Sequence, residues 1–202
     1  MIRVDVNVGI ASVRYARSEV MSETSGDRRS ESPSGEAFME PRGAFVTLNT
    51  YPDRILRGCI GYPYPVFPLA KTISEAARAA CHDPRFPVLT ADEAKSVTVE
   101  VTVLTVPEPL KASNPNEIIE SVKIGRDGLI LEYKGYRGLL LPQVPVEQGW
   151  DVLDYLQGLS YKAGLHYDAW AQPEARLFRF EGEIFHETEP FGEIERGEQD
   201  VL

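Results

Sequence analysis

The sequence predicts an α+β fold, on three observations. The segment "SVTVEVTVLTV" (96–106) sets Val97, Val99, Val101 and Val103 against Thr98, Glu100 and Thr102. That period of two is a strand with one core face. Residues 68–82 and roughly 150–163 instead carry apolar residues at helical spacing. Finally, strands and helices do not alternate strictly and no repeat is present, which disfavours a doubly wound parallel sheet.

The elements follow in order. Residues 7–21 read as a helix, with Val8, Ala11, Tyr15 and Val20 on one side. Residues 22–37, "SETSGDRRSESPSGEA", lack large apolar side chains and read as a flexible insert. "GAFVTLNT" (43–50) is strand-like, "YPDR" turns it, and "ILRGCIG" (55–61) returns as the second arm of a hairpin. Pro63, Pro65 and Pro68 stop the strand, and Pro68 suits the first turn of the helix that follows. In that helix Leu69, Ile73, Ala76, Ala77 and Ala80 form a narrow apolar stripe, fit for close packing.

Pro84 forces Asp83 out of helical geometry, and Thr90 with Glu93 forms a capping-box pattern for a short helix. Asn114 and Pro115 open another short helix. Residues 123–144 read as a meander, with turn signals at Asp127-Gly128 and Lys134-Gly135. The helix near 150–163 turns Val152, Leu153, Leu156 and Leu159 inward, with Trp150 packed at its start and Gly164 at its end. "ARLFRFEGEIFHE" supplies closing strands around Gly182, and 188–202 forms an acidic tail.

Composition bounds the function. A chain of 202 residues with 43% apolar and 26% charged residues can bury a globular core. No apolar run reaches membrane-spanning length and the N-terminus has no signal-peptide core, so no membrane partner and a cytoplasmic location are expected. The net charge of −10 is concentrated in 181–200, with eight acidic groups and one basic group. It argues mildly against nonspecific nucleic-acid binding. The two cysteines, Cys59 and Cys81, form no disulfide framework, and His82, His166 and His186 are scattered, so neither a metal nor a cofactor is expected. Phosphate-loop, dinucleotide, nucleophile-elbow and zinc-protease motifs are absent.

The chemistry-bearing candidates cluster around Cys59. Strand alternation puts Arg57, Cys59 and Gly61 on one face, with Gly58 and Ile60 on the other. A cation beside a thiol favours the thiolate, and glycines let a ligand approach the backbone. The alternative is a small buried cysteine in a tight hairpin. In "CHDPRF" (81–86), adjacent Cys81 and His82 cannot face each other as a dyad, whereas Cys59 could meet His82 across space. Asp83 and Arg85 read either as a local salt bridge or as an anion site. Glu100 is the best candidate for a cleft carboxylate, against plain exposure. Lys162 either complements a helix C-terminus or binds phosphate or a carbonyl.

The ordered set "GAFVTL", "LRGCIG", "DPRFPVLTADE", "VEVTVLT", "IGRDGLIL", "GLLLPQVPVEQGWD" and "YKAGL" resembles the AMMECR-one family over about residues 7–187, in its archaeal or bacterial type. "LRGCIG" is that family's hallmark, here Leu56, Arg57, Gly58, Cys59, Ile60 and Gly61. The resemblance implies one domain of larger and smaller subdomains, each on antiparallel strands flanked by helices, with a cleft near the hallmark. It implies no settled activity. Similar domains occur fused to Memo-type domains and beside radical-SAM enzymes, which points to modification of nucleic acids or small molecules. Two positions depart from the family pattern: the polar insert at 22–37, and Ser160, where relatives often carry cysteine. Two functions follow as alternatives. One is an enzyme or enzyme component using Cys59 and Arg57, with Gly58, Ile60, Gly61, Asp83, Arg85, Glu100 and Lys162 as binding groups. The other is a binding or scaffold module for a small molecule, protein or nucleic acid, with "LRGCIG" as a structural turn.

Overall fold

The structure is a computed structural model, and it describes residues 4–26, 30–112 and 114–197. The chain forms two compact units. One holds residues up to Thr105 together with the segment from Glu183, and the other holds Val106–Gly182. Each is built on a sheet flanked by helices.

The first unit carries a five-stranded sheet in the order β2-β1-β3-β8-β9. Its strands are β1 (Ala44–Thr50), β2 (Leu56–Tyr62), β3 (Val97–Leu104), β8 (Gly182–Glu187) and β9 (Ile194–Arg196). β1 runs antiparallel to both β2 and β3. On one face Ala44, Val46, Leu48, Val97, Val99, Val101 and Val103 are buried. They pack against α1 (Val6–Ser25) and α3 (Leu69–Cys81). The alanines of α3 explain the fit: Ala76, Ala77 and Ala80 let its backbone approach the sheet, and all three are buried.

A buried cation ties this unit together. Arg17 of α1 donates to the Ala94 carbonyl at 2.7 Å, to the Val97 carbonyl at 2.6 Å and to both oxygens of Glu187. Glu187 also accepts from the Val99 amide at 2.9 Å. The carboxylate thus satisfies a guanidinium and a backbone donor that would otherwise be stranded in an apolar interior. Short helices α2 (Glu36–Met39) and α4 (Ala91–Ala94) complete the unit. The Thr90–Glu93 capping box forms with both of its bonds.

The second unit holds β4 (Glu108–Pro109), β5 (Gly128–Tyr133), β6 (Tyr136–Leu140) and β7 (Arg176–Phe180), in the order β4-β7-β5-β6. Its helices are α5 (Pro115–Ser121), α6 (Gln143–Gln148) and α7 (Val152–Lys162), followed by a 3-10 turn at Ala169–Ala171. Leu129, Leu131, Tyr155, Leu156, Leu159, Trp170 and Leu177 form its core. The buried Tyr155 hydroxyl donates toward the Asp127 carbonyl at 2.9 Å and the Leu140 carbonyl at 3.2 Å. Burial pushes its pKa up, so it serves as a neutral donor.

Several sequence expectations shift. Helix α1 runs on to Ser25 and ends at left-handed Gly26, which shortens the insert at its start. The insert is also fastened: Ser30 donates to the buried carboxylate of Glu19, and its end becomes α2. Its residues 27–29, and residues 198–202 of the acidic tail, lie outside the described residues. The nearer tail contributes β9, which pairs with β8. Pro68 is the N-cap of α3, just before its first helical residue. In α7, Leu153 is 42% exposed, while Tyr155 and Ser160 take the inward face with Leu156 and Leu159. The Lys134-Gly135 turn forms with positive φ at both residues. The Asp127-Gly128 signal instead closes the loop from Lys123, whose amide reaches the Asp127 carboxylate at 2.9 Å. The strands flanking Glu181 enter different sheets and form no hairpin.

Candidate functional site

Residues Cys59, Thr47 and Glu100 lie in one row across the first unit's sheet. Thr47 is the register partner of Cys59 on β2 and of Glu100 on β3. Directly opposed residues share a face, and alternation with the buried valines sets this row on the face away from α1 and α3. The Thr47 hydroxyl donates to the Cys59 sulfur at 3.3 Å.

Strand β2 is a sheet edge, and two side chains from the α3–α4 connection cover it at Cys59. The Cys59 amide donates to the Asp83 carboxylate at 2.9 Å, and Arg85 donates to the Cys59 carbonyl at 3.1 Å. Asp83 accepts two further side-chain bonds from Arg85, at 3.0 and 2.7 Å, and one from the Arg85 amide at 3.0 Å. "DPR" is thus a local ion pair, as one sequence alternative has it, and also a clamp that replaces a missing neighbouring strand. The Arg85 guanidinium, helped by the backbone donors, holds the Asp83 carboxyl well below the usual carboxylate range.

The glycines of the hallmark have distinct reasons. A Cβ at Gly58 would sit 2.4 Å from the Ala80 carbonyl oxygen, so the end of α3 can lie on the strand only if residue 58 has no side chain. A Cβ at Gly61 would sit 2.2 Å from the Phe45 ring, which lies across that position. Ile60 packs against the helical core. Gly58, Ile60 and Gly61 therefore have packing roles in the fold.

Arg57 departs from strict alternation. Leu48 pairs with Gly58 but Asn49 pairs with Leu56, so Arg57 sits in a bulge with no partner opposite. Its side chain turns to the Glu93 carboxylate, with contacts of 3.2–3.3 Å. The expected Arg57–Cys59 pairing is replaced by Arg57–Glu93, and the guanidinium that acts on the thiol is that of Arg85. His82 also turns away from Cys59, its ring nitrogen lying 2.8 Å from the Glu23 carboxylate.

Electrostatics then keep Cys59 neutral. Burial pushes its thiol up, Thr47 and Arg85 pull it down, and the Glu100 and Asp83 charges push it up again, leaving it above an ordinary thiol. Cys81 is buried in the core, points at the Ala77 carbonyl at 3.4 Å, and is pushed up to about 12 by burial. Burial also raises Glu100, an effect partly offset by the Arg54 charge. Thr47 and Arg54 were not singled out from sequence. Thr47 is signalled by alternation along β1, but nothing local marks Arg54, a turn residue at φ 53°. Lys162 belongs to the other unit, is exposed, and ends α7. Ser160 is buried in the same helix, its hydroxyl donating to the Leu156 carbonyl at 3.2 Å and accepting from the Trp170 amide at 3.2 Å. Among the described residues, no group of three or more His, Cys, Asp or Glu side chains is placed to hold a metal, and no helix is long and apolar enough to cross a membrane.

The chain is an α+β protein whose glycine-rich edge strand is clamped by an Asp-Pro-Arg turn, and it has relatives in archaea and bacteria. The chain is 52% identical over 187 residues to protein MJ0810 of Methanocaldococcus jannaschii, covering 92% of this chain and 93% of that one. It is 45% identical over 185 residues to protein MK0488 of Methanopyrus kandleri, covering 90% and 89%. The crystal structure of the uncharacterized protein PH0010 from Pyrococcus horikoshii superimposes with a TM-score of 0.76 at 40% identity, covering 97% of this chain and 99% of that one. The AMMECR1 family model matches residues 13–185, and the chain belongs to the AMMECR1 family.

Proposed function

We propose that this protein is a small-molecule-binding module in which "LRGCIG" is a fixed wall and the face bearing Cys59, Thr47 and Glu100 is the recognition surface. One observation carries the reading: both main-chain polar groups of Cys59 are held by Asp83 and Arg85. That clamp fixes the position of the sulfur without activating it. A cysteine nucleophile needs a thiolate and a base within hydrogen-bond reach. Here the sulfur accepts from a hydroxyl, and His82 is engaged with Glu23. The test is pH-dependent alkylation of the native protein, with Cys59 resolved from Cys81 by peptide mass spectrometry. Half-reactivity should fall above the ordinary thiol value of about 8.5. A midpoint below about 7 would restore the nucleophile and remove the wall.

A second reading rests on Glu100. A half-buried carboxyl raised by burial is suited to proton transfer, so the same face could serve an enzyme or an enzyme component. Cytoplasmic location and association with Memo-type or radical-SAM proteins fit either reading. Nucleic acid is the less favoured ligand for a chain of net charge −10. Binding to RNA or DNA with a steep salt slope would reverse that preference.

A further inference from the structure

We propose that the β5–β6 hairpin of the second unit carries a binding site for a small phosphomonoester, held by Arg137, Arg176 and Lys134. The site lies wholly within that unit and is independent of the reading above. It starts from strand register. Glu132 of β5 is the direct partner of Arg137 on β6 and of Arg176 on β7. The three residues therefore share one face of the sheet and form a row. The Arg176 guanidinium donates to one Glu132 oxygen at 2.7 Å, and Arg137 Nε lies 3.3 Å from the other. One carboxylate thus holds two guanidiniums beside it, and the row keeps a net positive charge.

Next to the row is a cavity of about 210 Å³, whose lining includes Glu132, Lys134, Tyr136, Arg137, Glu174 and Arg176. Lys134 sits at the turn. Tyr133 and Tyr136 are register partners, so Lys134 and Gly135 form a two-residue turn, with φ 49° and 84°. Asn-Gly is the favoured pair in such a turn, and a lysine in the left-handed region is strained. Strain of this kind clusters at ligand sites. The Lys134 ammonium stands 4.9 Å over the Tyr133 ring. Three cations and two carboxylates meet at this cavity, in a chain whose net charge is −10.

The chemistry selects the ligand. Glu132 and the exposed Glu174 already face these cations, so a monoanion brings no more charge than one of the chain's own side chains. A phosphomonoester carries about 1.5–2 negative charges near neutral pH and three acceptor oxygens. Two guanidinium forks and an ammonium supply matching donors, whereas a planar carboxylate is satisfied by one fork. The cavity is smaller than the roughly 300–1,000 Å³ of sites for drug-sized ligands, which limits the substituent to about the size of a sugar. Tyr136 is 56% exposed and gives that substituent a ring to lie on.

The experiment is an amide NMR titration of the full chain, read at Lys134, Gly135 and Arg176. The probes are ribose 5-phosphate, inorganic phosphate, dimethyl phosphate and acetate. Ribose 5-phosphate should bind tightest, and the monoanions dimethyl phosphate and acetate should bind weaker by about fivefold or more. Arg176→Gln and Lys134→Asn should each weaken ribose 5-phosphate by about threefold or more, while Glu174→Gln should tighten it by about twofold. All three side chains are exposed, and Asn suits the turn, so the urea midpoints should not fall. The inference is overturned if ribose 5-phosphate leaves these amides unshifted, if any of the other three probes binds as tightly, or if the variants bind like the wild type. Tighter binding of a phosphoserine peptide would place the same phosphate on a protein and overturn the small-molecule assignment.

Discussion

Truncating the clamp at Cys59 should destabilise the edge strand in an asymmetric way. Asp83 is 2% exposed, whereas the Arg85 side chain is 55% exposed. In Asp83→Ala the Cys59 amide loses its acceptor at a sheet edge, a loss of about 1–3 kcal/mol when a buried donor is left unpaired. The ion pair adds about 0–1 kcal/mol, because the freed guanidinium can return to water. The expected total is about 1–4 kcal/mol. Arg85→Ala leaves Asp83 still bonded to the Cys59 amide and should cost under about 1.5 kcal/mol, the range of an ordinary hydrogen bond. Urea unfolding gives the global values, read as midpoint shifts at constant m. Amide exchange at Cys59 gives the local one, and there Asp83→Ala should lose protection and Arg85→Ala should retain most of it. The pH dependence follows from the depressed carboxyl of Asp83. Its stabilisation is present in full above the unfolded value of about 3.9 and is lost as pH falls toward the folded value. Equal destabilisation by the two substitutions, or unchanged exchange at Cys59 in Asp83→Ala, would refute the clamp.

Two further substitutions check the geometry elsewhere. Arg57→Ala should cost at most about 1 kcal/mol, as expected of a pair whose Glu93 side is 44% exposed. It should also leave the Cys59 alkylation midpoint unmoved, and a shift of half a unit or more would return Arg57 to the thiol. In α7, Leu156→Ala should cost about 2–5 kcal/mol as a core truncation, whereas Leu153→Ala should stay within about 0.5 kcal/mol. Thermal melts of the two variants would read similarly only if Leu153 were buried.

The fold was legible where a periodic pattern met a core. Val97–Val103 alternate because one face of β3 is sealed by α1 and α3, and the Ala-rich stripe of α3 records how closely that helix lies on the sheet. The capping box at Thr90–Glu93 and the cap at Asn114 are local chemistry, written within four residues. Leu153 misled because periodicity gives a stripe a width but not an edge. The inward face of α7 is centred on Tyr155, whose hydroxyl needs the Asp127 and Leu140 carbonyls before it can be buried. No window around residue 155 contains those partners.

The site was legible as an address and not as an arrangement. "LRGCIG" and "DPRF" stand out in sequence, yet what joins them is a pair of side chains reaching back to the main chain of a residue 24–26 positions earlier. Such a bond leaves no periodic trace, since a backbone acceptor or donor has no residue identity. The Arg57 bulge is invisible for a related reason. Alternation assumes one residue opposite one, and the single unpaired residue that breaks the count sits where Gly58 must meet the Ala80 carbonyl. The tight approach of α3 and the re-aiming of Arg57 are therefore two consequences of one local geometry. Arg57 pairs with Glu93 of α4, and the guanidinium at the Cys59 main chain is that of Arg85 instead. That exchange of partners leaves Cys59 clamped through its main chain, with a thiol that burial raises and Arg85, not Arg57, beside it. Glu100, opposite Thr47 in the same row, is a carboxyl that burial raises.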